Sequence, residues 1–92
     1  MKLEIEIPNY SAEPGVVREW DAGFRIAVDA QNTEVVIRAN RAGLMSLARH
    51  CLILAQQSVP EGFHFHYDVD LDDLQAGSAE LVIERDDFQV AD

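Results

Sequence analysis

A period of two in the apolar residues dominates the chain. In residues 2–7, Leu3, Ile5 and Ile7 alternate with Lys2, Glu4 and Glu6, the pattern of a strand with one buried face. Pro8 ends that run, and Ser11, Pro14 and Gly15 mark a loop. Residues 16–20 read as a short strand, turned at Asp21-Ala22-Gly23. Residues 24–29 form a strand with Phe24, Ile26 and Val28 on one side. Ala30-Gln31-Asn32 then turns the chain into a returning strand over 33–38, which makes a β-hairpin. Two further strands follow later. In residues 63–70, Phe63, Phe65, Tyr67 and Val69 alternate with His64, His66, Asp68 and Asp70. In residues 78–85, Leu81 and Ile83 point inward. Phe88 and Val90 extend this last strand or pack as a tail.

Between the two pairs of strands the period changes to that of a helix. Asn40 is a suitable N-cap, and Leu44, Leu47, Ala48, Cys51, Leu54 and Ala55 fall on one stripe of a helix over 41–58. Pro60 and Gly62 stop it. Gly43 lowers helix propensity, which suggests a close approach of another segment. The expected fold class is therefore α+β: an antiparallel sheet of about five strands with one amphipathic helix packed on one face. Leu44, Leu47, Cys51 and Leu54 are expected against Phe63, Phe65 and Leu81. The other face of the sheet is left polar and open to contact, with His64, His66, Asp68, Glu80 and Glu84 on it beside Val36 and Val82.

Length restricts this to a single domain over residues 1–92, since a chain of this size buries only about 60–65 % of its unfolded surface. No inter-domain catalytic cleft is possible. One cysteine, Cys51, excludes an internal disulfide, and the alternating start is unlike a signal peptide. The most apolar run, residues 44–55, is too short and too polar to span a bilayer. A cytoplasmic protein is expected. The net charge is −10, and it is uneven: residues 68–92 hold nine acids and one base, Arg85. Such a surface repels nucleic acid and anionic membrane and attracts a basic partner, although acidity also serves solubility.

Candidate chemistry is sparse. His64-x-His66-x-Asp68 places two imidazoles and a carboxylate on one side of a strand, a pattern that metal sites use. No ligand from a second element is evident, because the remaining histidine, His50, lies on the helix. The plainer reading makes these residues part of a polar contact face, with no metal and no cofactor. Asp68, Asp70, Asp72 and Asp73 lack the glycine and distal glutamate of a calcium loop and read as an acidic patch. Cys51 reads as a small core residue, and no serine sits in a nucleophile elbow, so no catalytic residue is assigned. Trp20 either caps the core or anchors a partner. The expected partner-binding set is His64, His66, Asp68, Asp70, Asp72, Asp73 and Glu80.

Asn40-Arg41-Ala42-Gly43-Leu44, the run Gly62-Phe63-His64-Phe65-His66-Tyr67-Asp68 and the close Gly77-Ser78-Ala79-Glu80-Leu81-Val82-Ile83 carry a resemblance over roughly residues 22–86. In these the chain resembles the immunity protein 32 family of bacterial polymorphic toxin systems. The resemblance implies a cytoplasmic protein, not an enzyme, that neutralises a cognate toxin by binding it. The acidic charge suits a basic toxin. Two other readings stay open: a small metal-binding protein or metalloenzyme built on His64, His66 and Asp68, and a homodimer paired through the sheet face that carries Val36 and Val82.

Overall fold

The computed structural model describes residues 1–11 and 18–88. Among these residues five elements follow in order: β1 (Ile26–Gln31), β2 (Glu34–Ala39), α1 (Arg41–Leu54), β3 (His64–Tyr67) and β4 (Leu81–Glu84). The α+β class is as expected, but the single five-stranded sheet is not formed. The strands make two separate antiparallel ribbons, β1–β2 and β3–β4.

The β1–β2 hairpin pairs Ile26 with Ala39 and Gln31 with Glu34. Its connection is Asn32 and Thr33, and Asn32 adopts a φ of 58°, a left-handed conformation that asparagine tolerates. Ile26 and Val28 are buried, whereas Val35 and Ile37, nearer the hairpin tip, are exposed. The other edge of β1 is occupied irregularly. Gln75 N–H donates to Ile26 O at 2.8 Å, Ala79 N–H donates to Val28 O at 2.9 Å, and the Ser78 hydroxyl accepts from Val28 N–H at 3.0 Å. The segment that enters β4 thus fastens to β1 through three bonds, one from a side chain, and this takes the place of a continuous ladder. Residues 2–7 form no strand either. Ile5 and Ile7 are half-buried, but the following backbone is held by a side chain. The Gln56 amide donates to Pro8 O at 2.8 Å and accepts from Tyr10 N–H at 3.3 Å. Of the short strand expected at 16–20, residues 16 and 17 lie outside the described residues, and 18–20 are irregular. Val90 is also outside them, and Phe88 is exposed and not packed.

Asn40 starts α1. Its Oδ1 accepts from Gly43 N–H at 2.8 Å and from Arg25 N–H at 3.0 Å, and its Nδ2 donates to Gly23 O at 2.9 Å. One side chain thereby caps the helix and fixes it to the entrance of β1. Gly43 lies against that entrance. A Cβ there would sit 2.6 Å from Arg25 O and 2.9 Å from Ile26 Cγ1, so the expected close approach is present. The helix ends four residues earlier than expected, at Leu54. Its last turn has no basic residue of its own, and Arg85, distant in sequence, donates from Nη1 to Leu54 O at 2.8 Å and Gln56 O at 2.9 Å.

The buried face of α1 is not the stripe that the periodicity marked. Gly43, Ser46, Leu47, His50, Ile53 and Leu54 are buried, whereas Leu44, Ala48, Cys51 and Ala55 are exposed. The helix is turned by about one residue, roughly 100°. The rotation is possible because the polar residues it buries are satisfied. The Ser46 hydroxyl donates to Ala42 O at 2.8 Å and accepts from Asp21 N–H at 2.9 Å. His50 is bonded at both ring nitrogens. Among the described residues, every buried side-chain nitrogen or oxygen has a partner. Leu47, Ile53 and Leu54 join Ile26, Val28, Val59, Phe65, Tyr67 and Leu74 in the core.

Candidate functional site

The β3–β4 ribbon sorts its side chains by parity. Phe65 and Tyr67 are buried, and His64 and His66 are exposed. The register pairs His64 with Glu84, Phe65 with Ile83, His66 with Val82 and Tyr67 with Leu81. Side chains directly opposite one another share a face, so His64, His66, Val82 and Glu84 stand together on the outer face. One step beyond the last ladder pair, Asp68 comes opposite Glu80. The expected alternation of residues 64, 66 and 68 is therefore present, and Glu80 and Glu84 join them from the neighbouring strand.

The two histidines differ. His64 Nδ1–H donates to Gly62 O at 3.0 Å and lies 3.8 Å from Glu84 Oε1. His66 Nε2–H donates to Glu80 Oε2 at 3.3 Å. Donor atoms of His66, Asp68 and Glu80 all lie within 4.8 Å of one another, a grouping in which Glu80 stands where the sequence reading had placed His64. His50 is on the interior side of the ribbon, against Tyr67 and Phe65, away from this face.

The four aspartates after β3 also separate. Asp68 Oδ1 accepts from Asp70 N–H at 2.8 Å, which closes a tight turn. Asp70 and Asp72 are exposed, and Asp72 has a φ of 61°. Asp73 is 7 % exposed, and its Oδ2 accepts from Asp68 N–H at 3.2 Å and lies 3.9 Å from Arg18 Nη2. Expected among the contact residues, Asp73 is instead directed inward and holds the loop.

Arg18 was not singled out by sequence reasoning, yet it supports the ribbon from beneath. Its Nη1 donates to His66 O at 2.9 Å, and its guanidinium lies 5.0 Å from the Tyr67 ring centroid and 5.6 Å from those of Trp20 and Phe65. Trp20 stacks on Phe24 at 4.2 Å and meets His50 edge-on at 4.8 Å, so it caps the core. The only signal for Arg18 in the sequence is one cation two residues before a tryptophan, which many exposed arginines share. Cys51, expected in the core, is exposed on the rotated helix. Burial pushes the Tyr67 hydroxyl well above its ordinary pKa, so it remains a neutral donor.

Residues 34–86 match the family model described as Immunity protein 32. The match runs from β2 through the end of β4 and so includes the whole outer face of the β3–β4 ribbon. It begins later than the resemblance read from about residue 22. No curated protein and no solved structure matches the chain.

Proposed function

The chain belongs to the immunity protein 32 family, and from that premise we propose that it neutralises a toxin by binding it, with no reaction of its own. The proposed toxin is basic, and the proposed place of action is the cytoplasm. Family membership is the observation that carries the reading. The net charge of −10 supports the sign of the partner, and it also opposes pairing of two copies. Among the described residues, no helix is long and apolar enough to cross a membrane.

The proposed contact is the outer face of β3–β4 with the loop that follows β3: His64, His66, Asp68, Asp70, Asp72 and Glu80. Val82, 51 % exposed, gives this acidic face one apolar position. Arg85, the one base of the last 25 residues, does not dilute the face. Its guanidinium caps α1 and bonds Asp87 at 2.8 Å. Clustered charge of this kind speeds encounter with a positive surface, within a screening length of about 8 Å at physiological ionic strength.

The test isolates the partner by pull-down from the source cells and follows its association rate with the purified chain against salt. The triple variant Asp70→Asn, Asp72→Asn, Glu80→Gln is expected to associate more slowly, with a flatter salt dependence. An unchanged rate and slope would place the contact elsewhere on the molecule.

A further inference from the structure

We propose that His66, Asp68 and Glu80 form a binding site for one divalent metal ion of the zinc class on the outer face of the β3–β4 ribbon. The objection raised by the sequence was the lack of a ligand from a second element. The register removes it, because Glu80 comes opposite Asp68 one step past the Tyr67–Leu81 pair. The donors of all three residues lie within 4.8 Å of one another. Zinc bonds nitrogen and oxygen donors at about 2.0–2.2 Å, which separates ligands of a tetrahedral site by about 3.3–3.6 Å. His66 Nε2 and Glu80 Oε2 are already 3.3 Å apart. The remaining separations close by no more than about 1.5 Å to reach that geometry. His66 and Glu80 are exposed side chains that can rotate by this much.

Electrostatics points the same way. Like charges facing each other across a strand pair repel, and here two carboxylates do so in a chain already at −10. A divalent cation offsets both. The donor set then selects the metal. One imidazole nitrogen with two carboxylates suits zinc, while calcium and magnesium favour oxygen throughout. Neutral His66 coordinates through Nε2 with its proton moved to Nδ1, and the metal replaces the present contact with Glu80. The site is supported from behind. Asp70 N–H fixes one oxygen of Asp68, and Arg18 pins the backbone of His66. His64 lies outside this grouping, one pair further along the ribbon and beside Glu84.

This inference does not rest on the toxin reading, and its test uses the metal alone. The full chain, freed of metal with a chelator, is titrated with zinc chloride against a chromophoric zinc indicator. One zinc per chain is expected. His66→Ala and Glu80→Gln should each weaken binding at least tenfold, His64→Ala should leave it unchanged, and calcium should not compete. In the unaltered chain, proton NMR should show the His66 ring signals shifting with zinc while those of His64 stay in place. Failure to saturate would overturn the proposal. So would binding that depends on His64 and not on Glu80, or saturation without a shift of the His66 ring.

Discussion

His50 sits at the centre of the molecule with 0 % exposure. The Glu19 carbonyl, 2.8 Å from Nε2, can only accept, so Nε2 carries the proton and Nδ1 accepts from the Tyr67 hydroxyl at 2.8 Å. The ring is thus neutral and fully bonded. Burial pushes its pKa below the ordinary 6.5, and the charges of Arg18 and Arg49 act in the same direction. The Glu19 hydrogen bond and Asp73 oppose them. The unfolded chain therefore binds this proton more readily than the folded one. The stability that follows from neutral His50 is fully present above about pH 6.5 and is lost as pH falls below it. The urea midpoint should drop between pH 7 and pH 5.5, and His50→Gln should flatten that part of the profile. A wild-type midpoint that is constant over the range would contradict this account of His50.

At the scale of elements, α1 shows what apolar period can and cannot reveal. Its existence, its Asn40 cap and the tight seat of Gly43 were legible in the sequence, because each is a local matter. Its rotation was not. The stripe through Leu44, Leu47, Cys51 and Leu54 is the more apolar one, and only long-range partners make the neighbouring face the buried one. Those partners are Asp21 for Ser46, and Glu19 with Tyr67 for His50. The energetic consequence is specific. Leu47→Ala should cost about 2–5 kcal/mol, as for a buried leucine. Leu44→Ala, at a position 54 % exposed, should remain within about 0.5 kcal/mol of wild type, the range of surface substitutions. Chemical denaturation of the two variants decides it, and equal losses would restore the stripe that the sequence suggested. The strands divide in the same way. β1 to β4 were visible through their alternation. The split into two ribbons was not, because it depends on how residues 75–79 fasten to β1. The alternation of residues 2–7 marked the partial burial of Ile5 and Ile7, but Leu3 is exposed, and the pattern could not show that Gln56 tethers the backbone that follows.

The two ribbons and α1 enclose one aromatic-rich core, and among the described residues the acidic ones stay outside it, with Asp73 the exception among those named for contact. Most of the candidate face was legible from strand parity, since residues 64, 66 and 68 had to share a side. Glu80 as the neighbour of His66, and the inward position of Asp73, required the register and the loop after β3. The central claim is that this surface serves a stoichiometric inhibitor. It is tested most directly by titrating the purified chain into a fixed concentration of the toxin it captures from its source cells, set well above the dissociation constant, and recording that toxin's activity. The account predicts a linear fall to zero at one chain per toxin. Toxin activity that survives a large molar excess of the chain, or that disappears at a small fraction of one equivalent, would contradict it.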